Sequence, residues 1–370
     1  MMQPSDHAGL TPELTRRQFL KLGAAAATVW TATQPGALGA QTPRRLRAGF
    51  LGGSHAHARD KWRLVRASDQ FELVGMAENS GPVRAAYGPL GAKFMSPEEL
   101  VARSEVVIVE SDVADHGRHA LLALRAGKHV HVEKPPADNL ADVEQMVKLA
   151  REHNLVLQVG YMWRHHPGFA AIFEAMRRGW LGDVYLVRGI INNQLAADRR
   201  AEWGQFRGGG LFELGAHLVD ALVRLLGEPR QVQSTLRTHG QPDDDLHDNN
   251  VAVFEFSRAL GIITNTTLQP NAGSHRLFEV LGTNGTAVLK PIEPPTLELD
   301  LAKAAGPYQP GRQTVPMPGY ERYVGDLVEL AAAVRGERNL AVTLEEELRV
   351  QRWLLRASEM SQPTPAENRE

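Results

Sequence analysis

The 370-residue chain contains no cysteine. Disulfides, thiolate nucleophiles and cysteine-ligated metal centres are therefore excluded at the outset. An excess of one charge sign is also missing: 41 Lys and Arg stand against 43 Asp and Glu, a formal net charge of −2. Nothing in that balance draws the protein to nucleic acid or to an anionic lipid surface. The stretch that invites a membrane reading, Leu22–Ala32, is too short and too weakly apolar for about 30 Å of hydrocarbon. Fourteen histidines remain as metal ligands. Their close pairs, His55/His57, His129/His131 and His165/His166, carry no His-Glu-x-x-His pattern, so no metal site is expected. What is left is a chain long enough for two domains and a large core, suited to small polar or neutral substrates.

The first forty residues read as an address. Thr15-Arg16-Arg17-Gln18-Phe19-Leu20-Lys21 precedes the weakly apolar run, Pro35 breaks it, and small residues follow from Ala37 to Ala40. This looks like a twin-arginine export signal spanning 1–40 and cleaved near Ala40, with the twin-arginine machinery as partner and the periplasm as destination. That route carries folded proteins, so a cofactor is loaded before export. An exported enzyme that uses a nucleotide must then hold it tightly and restore it in each cycle.

From residue 41 to 160, short apolar runs alternate with helical patterns. Leu46–Gly52, Phe71–Ala77, Glu105–Glu110, His129–Val132 and Leu155–Val159 read as strands. Ala114–Ala126 and Leu140–His153 read as helices between them. Near-continuous apolar strands alternating with helices imply a doubly wound parallel sheet, an α/β domain of Rossmann type. From 161 to 361 the rhythm changes to an α+β pattern. A helix at Pro167–Gly179 precedes strands at Val184–Asn192, Gln231–Thr238, Asn250–Phe256, Gly261–Leu268, Arg276–Leu281 and Thr286–Leu289. A large, mostly antiparallel open sheet is expected, with one helix at Gly209–Leu226 packed on it. Asn284-Gly285 signals a hairpin turn with positive φ at both central positions. Two helices, Arg322–Arg335 and Leu344–Met360, close the chain, and residues 362–370 are expected to be disordered. The open sheet offers a surface for a homo-oligomer.

Chemistry concentrates at two places. The first strand runs into Gly49-Phe50-Leu51-Gly52-Gly53-Ser54-His55-Ala56-His57. A dinucleotide fingerprint needs glycine where backbone approaches pyrophosphate, and only Gly52 fits it. Ser54 is small and brings a hydroxyl for phosphate. His57 stands at the helix start, to cap it or reach toward the pyrophosphate. Glu78 ends the second strand, where a carboxylate binds ribose hydroxyls and repels a 2′-phosphate, favouring NAD over NADP. The second place is Gly127-Lys128-His129-Val130-His131-Val132-Glu133-Lys134-Pro135, which sets Lys134 at the mouth of a buried strand, and Gly208-Gly209-Gly210-Leu211-Phe212-Glu213-Leu214-Gly215-Ala216-His217. A cationic lysine polarises a hydroxyl and a neutral histidine takes its proton. Glu213, four residues before His217, shares a helical face with it and orients its imidazole.

These segments together resemble the Gfo/Idh/MocA family of nicotinamide-dependent sugar oxidoreductases, over essentially the whole chain after residue 40. The resemblance implies that Lys134 and His217 do the proton chemistry and that Lys134 bridges the nicotinamide ribose and the substrate hydroxyl. It implies cofactor contacts from Gly52, Gly53, Ser54, His57, Glu78, Ser111, His116, Glu133 and Lys134. It places Tyr161 and Arg164 near substrate, while Trp203 and Arg207 could form a wall that stacks on a sugar. The chain departs from the family where Ser111-Asp112-Val113 stands for Thr-Pro-Asn and where Glu213 stands for aspartate. The expected activity is NAD-dependent hydride transfer at a carbinol carbon of a sugar, cyclitol or related polyol. A redox-neutral, NAD-dependent glycosidase or lyase uses the same parts, and a non-catalytic carbohydrate binder would keep the same fold.

Overall fold

The computed structural model describes residues 44–240 and 244–361. The expected export signal at 1–40 and the tail at 362–370 lie outside the described residues. The first sheet is built from β1 (Leu46–Leu51), β2 (Phe71–Ala77), β3 (Val106–Val109), β4 (His129–Val132) and β5 (Leu157–Val159), all parallel, in the order β2-β1-β3-β4-β5. Their sequences explain the pairing. β3 is Val-Val-Ile-Val, fully buried, and β1 exposes only Arg47. Such strands need cover on both faces. The cover comes from α1 (Ala58–Ala67), α2 (Gly81–Tyr87), α3 (Pro97–Arg103), α4 (Val113–Arg125) and α5 (Leu140–Glu152). The starts of α3 and α5 are fixed by Ser96 and Asn139, whose side chains accept the Glu99 and Asp142 backbone N–H groups. The strand order reverses between β1 and β3, which opens a crevice at the carboxyl ends of these strands.

The second sheet has eight strands in the order β13-β12-β11-β10-β6-β9-β8-β7. In chain order, α6 (Pro167–Arg177) leads to β6 (Val184–Ile190), followed by α7 (Ala197–Gly204), α8 (Gly209–Glu213) and α9 (Ala216–Leu226). Then come β7 (Gln231–Arg237), β8 (Asn249–Glu255), β9 (Leu260–Thr266), β10 (Leu277–Gly282), β11 (Gly285–Leu289), β12 (Leu297–Leu301) and β13 (Gly311–Val315). All neighbours are antiparallel except β6 and β9. In β8, Asn250, Ala252 and Phe254 face inward while Val251 and Val253 face outward, the period-two pattern of a sheet covered on one side. α10 (Val324–Val334) and α11 (Leu344–Ala357) close the chain. α11 starts with a reciprocal cap between Thr343 and Glu346 and packs against α5, α9 and β7. At the end of α10, Arg335 donates to Gln70 Oε1 at 2.6 Å, beside the start of β2.

Two local expectations are corrected. The expected helix over Gly209–Leu226 is two helices, α8 and α9. The Gly215 N–H bonds to Gly210 O, five residues back, and Leu218 N–H to Gly215 O, three back. The 3.6-residue register is therefore lost between Glu213 and His217, and they do not share one helical face. The β10–β11 hairpin exists, but neither Asn284 nor Gly285 has positive φ. Asn284 instead uses its amide to donate to Trp180 O and Lys303 O. Gly285 begins β11, where a Cβ would lie 2.4 Å from Asp300 O, so its role is close strand approach.

Candidate active site

The crevice edge is made by the loops that follow β1, β3 and β4, and α8 and α9 of the second sheet's layer lie against it. At β1 the chain turns on Gly52, whose φ is +80° and whose hypothetical Cβ would fall 2.4 Å from Ser111 Cα. Only glycine satisfies both constraints. The Gly53 N–H donates to Glu78 Oε2 at 3.0 Å, and the Glu78 carboxylate also accepts from the Asn79 and Ser80 N–H groups. Ser54 is half-buried, and among the described residues its N–H and hydroxyl have no hydrogen-bond partner. A loop that approaches this closely, with an unengaged N–H and hydroxyl and a carboxylate at the next strand end, fits the pyrophosphate and ribose of a dinucleotide.

Three of the expected cofactor contacts are turned inward. His57 begins α1 without a side-chain cap and places Nδ1 3.1 Å from Glu133 Oε1. His116 is fully buried between Ser111 O at 2.9 Å and Pro135 O at 2.8 Å, so it ties the β3 and β4 loops together. Ser111 is buried, with its hydroxyl 2.9 Å from His119 Nδ1. Each ring or hydroxyl is held by protein, and what these residues supply to the crevice is the shape of its loops.

Lys134 follows β4, 2% exposed, with a cis peptide bond to Pro135. Its Nζ donates to Glu213 Oε1 and to Glu213 O, both at 2.9 Å. His217, in the first turn of α9, is 2% exposed and packs against Trp163 at 4.9 Å and Tyr161 at 6.0 Å between ring centroids. Its Nδ1 is buried with no hydrogen-bond partner. Burial, with help from the Lys134 and His57 charges, holds the imidazole well below the usual histidine range. It is neutral at pH 7 and able to accept a proton. Glu213 does not orient it, contrary to the expectation from spacing. Burial raises the Glu213 carboxyl, but Lys134 and His55 outweigh burial and leave it ionised. The reason is the wide turn after α8, which points the carboxylate across the crevice to Lys134.

Of the substrate-side residues, Tyr161 and Trp203 are buried, and their hydroxyl and indole N–H have no partner among the described residues. The two arginines are corrected. Arg164 donates to Asp220 Oδ1 at 2.8 Å and to Glu347 Oε1 at 2.5 Å, and its guanidinium lies 4.7 Å from the Tyr161 ring centroid. Two carboxylates saturate it, and Asp220 is 2% exposed as its partner. Arg164→Met should therefore lower stability by about 3–5 kcal/mol, because two buried carboxylates lose their cation. Denaturant unfolding checks this; a variant of unchanged stability would contradict the structural role. Arg207 pairs with Glu359 at 2.7 Å on the surface, its side chain 59% exposed, and does not join Trp203 in a wall.

The sequence reading missed the charge network beneath the crevice. Lys61 on α1 is fully buried, its Nζ 2.8 Å from Glu110 Oε1, in contact with Glu133 Oε1, and 2.7 Å from His131 Nε2. His131 Nε2 accepts from that ammonium, so Nδ1 carries the proton donated to Gln158 Oε1 at 2.8 Å. Burial and then Lys61 push His131 down to about 3. Burial lowers the Lys61 ammonium, but Glu110 and Glu133 outweigh burial and raise it. A signal existed: Lys61 falls between Ala58, Trp62 and Val65 on the buried face of α1. Glu110, His131 and Glu133 converge closely enough to hold a cation, as do His55, His57 and Glu133. The first set already surrounds the Lys61 ammonium. In the second, His57 is bonded to Glu133, and His55 Nδ1 accepts the His57 N–H at 3.3 Å. Glu133 Oε2 accepts the Lys134 N–H at 2.9 Å, so the network ends on the residue before the cis bond.

Both halves of the chain are similar to known proteins. Residues 46–161 match the oxidoreductase family, NAD-binding Rossmann fold, and residues 169–288 match the GFO/IDH/MocA C-terminal domain. The chain is 31% identical to dTDP-3,4-didehydro-2,6-dideoxy-alpha-D-glucose 3-reductase of Streptomyces violaceoruber over 54% of its length, spanning only 60% of that relative. It is 28% identical to 1,5-anhydro-D-fructose reductase of Ensifer adhaerens, covering 81% of this chain and 91% of that one. Among solved structures, GenD2 from gentamicin A biosynthesis in complex with NAD superimposes with a TM-score of 0.73 at 23% identity, over 89% of this chain and 97% of that one. With both halves matched in order, the chain belongs to the Gfo/Idh/MocA family.

Proposed function

We propose that the protein is an NAD-dependent oxidoreductase acting on a carbinol carbon of a sugar, cyclitol or related polyol. The observation that carries this reading is the convergence, at the carboxyl edge of the parallel sheet, of a charge-paired Lys134 and a neutral His217. Bound NAD supplies the hydride acceptor. His217 takes the substrate hydroxyl proton, and the Lys134 ammonium stabilises the oxygen as negative charge develops on it. Glu213 keeps that ammonium in place. Tyr161 and Trp163, packed against His217, shield the reacting end from water. The loop at Gly52, Gly53 and Ser54 would hold the pyrophosphate, with Glu78 at the adenosine ribose. The reductase names of the relatives above, both for carbohydrate substrates, support the substrate class.

Glu78 also supports NAD over NADP, although Arg84 brings a cation to the same strand end by donating to Glu78 O at 3.0 Å. Glu78→Ser should remove the repulsion and leave Arg84 beside a 2′-phosphate. The preference for NAD over NADP should fall by about 10-fold or more, a change of roughly 1.4 kcal/mol. Dissociation constants for the two nucleotides measure it, and an unchanged ratio would remove Glu78 from the specificity argument.

The twin-arginine segment at 1–40 supports export to the periplasm, and export in turn supports a tightly held, recycled nucleotide. The outward face of the second sheet, with exposed Val251, Val253 and Leu260, supports a homo-oligomer. Denaturing the purified protein and identifying the nucleotide it releases tests the cofactor reading. Near-stoichiometric NAD(H) is expected. No nucleotide, with no binding of added NAD or NADP, would refute it.

A further inference from the structure

We infer that His55 is a positioning residue for Lys134, acting through Glu213, and that this chain's histidine-bearing glycine loop and its glutamate in place of aspartate form one device. The inference rests on the reading that Lys134 acts on the substrate hydroxyl. The two features lie far apart in sequence and on different sheets' layers, yet they meet. His55 is 4% exposed in the loop after β1, its N–H donating to Glu110 O at 3.0 Å. Its Nδ1 accepts the His57 N–H at 3.3 Å, which places the ring proton on Nε2. That Nε2 is buried without a hydrogen-bond partner and lies 3.6 Å from Glu213 Oε1. The same Glu213 oxygen accepts from Lys134 Nζ at 2.9 Å.

The surroundings make His55 a neutral donor. Glu110 Oε2 and Glu133 Oε2 lie 3.8 and 3.9 Å from its Nδ1, the His57 ring is 4.7 Å away and the His116 ring 5.7 Å, and the Lys134 charge is close. Burial dominates and pushes the imidazole down to about 3. His55 thus offers Glu213 a proton without adding a positive charge that would compete with Lys134. Glu213 comes from α8 on the second sheet's side and must reach the loop of the first. An aspartate is one methylene shorter and could not serve both partners from the same backbone position. The longer side chain and the histidine opposite it are therefore a matched pair. Each fixes the oxygen on which the Lys134 ammonium rests, and a displacement of about 1 Å at such a point costs up to about 10²-fold in rate.

The test uses the full chain with His55→Leu, His55→Gln, Glu213→Asp and the double variant His55→Leu/Glu213→Asp. Turnover of NAD with a panel of alditols, cyclitols and anhydro-sugars is measured beside the NAD dissociation constant. His55→Leu should lower kcat by about 10- to 100-fold with NAD affinity held within about twofold. His55→Gln, which keeps an N–H near the Nε2 position, should recover most of the loss. The double variant should be no slower than the worse single one. Additive losses, equal losses in Leu and Gln variants, or weakened NAD binding with normal kcat would each overturn the inference and leave His55 a support of the glycine loop. A second readout needs no turnover. In 15N-histidine-labelled protein, the His55 Nε2–H resonance, assigned by its loss in His55→Gln, should move in Glu213→Gln. A resonance that stays put, or a ring protonated on Nδ1, overturns the pairing. Failure of every panel compound in the wild type would count against the proposed function instead, with the resonance still deciding the pairing.

Discussion

Replacing His217 with alanine should lower turnover by about 10³-fold, within the range of 10²- to 10⁴-fold that a positioned general base contributes. The expectation follows from the ring's surroundings. It is closed in by Trp163 and Tyr161, its Nδ1 is without a partner, and burial keeps it neutral. A histidine retained for packing would be free to take a hydrogen bond, and this one has left its nitrogen unengaged in the crevice wall. Nucleotide affinity should stay within about threefold, because the residues placed to hold the dinucleotide lie on the β1 and β2 loops. The measurement is kcat beside the NAD dissociation constant. A parallel loss of NAD binding would make His217 a structural residue.

Lys61→Met should lower stability by about 3–5 kcal/mol, with a fall in melting temperature on the order of 10 °C. Among the described residues, Lys61 is the only cation in direct contact with the fully buried carboxylate of Glu110, and it also neutralises Glu133. Methionine fills nearly the same volume but leaves two buried acids without an ammonium. The loss should grow with pH. Burial and then Glu133 raise the Glu110 carboxyl to about 8 against the counter-effect of Lys61. A folded-state value above the unfolded one makes the protonated form the favoured one, so its contribution is full at low pH and is lost as pH rises through about 8. Without Lys61 the carboxyl rises further, and the variant should be closest to wild type near pH 5. Urea unfolding at pH 5 and pH 8 reads both numbers. An equal loss at the two pH values would mean that packing, rather than charge, accounts for the effect.

The parallel sheet was legible because its strands are unmistakable: Phe71–Ala77 and His129–Val132 are found at the expected bounds. The second sheet was legible to Leu289. Beyond it, β12 carries a clear alternation, Leu297, Leu299 and Leu301 inward with Glu298 and Asp300 between them, and the expectation did not include it. The break between α8 and α9 was hidden for a physical reason. Leu211, Leu214, Leu218 and Leu222 continue the apolar spacing straight across it, while the break itself is a backbone event at Gly215. Lys134 and His217 were visible as motif positions. Their partners were not, since spacing assigned Glu213 to His217 and the fold assigns it to Lys134. Lys61 and Glu110 belong to no motif, and with His131 they become a network only when α1, β3 and β4 are packed together. Arg164 shows the reverse error: a matching segment suggested substrate contact, and two distant carboxylates, Asp220 and Glu347, take the guanidinium.

On this reading His217 takes the hydroxyl proton and the Lys134 ammonium steadies the oxygen while hydride passes to a nicotinamide nucleotide whose pyrophosphate sits at the β1 loop. The most direct test is a single-turnover experiment with NAD-loaded protein, mixed with alditols, cyclitols and anhydro-sugars while absorbance at 340 nm is recorded. One nicotinamide should be reduced per site with at least one compound class, and almost none in a His217→Ala protein that still binds NAD. Reduction at the wild-type rate in His217→Ala, or NAD-loaded wild type that reduces no nicotinamide with any class, would contradict it.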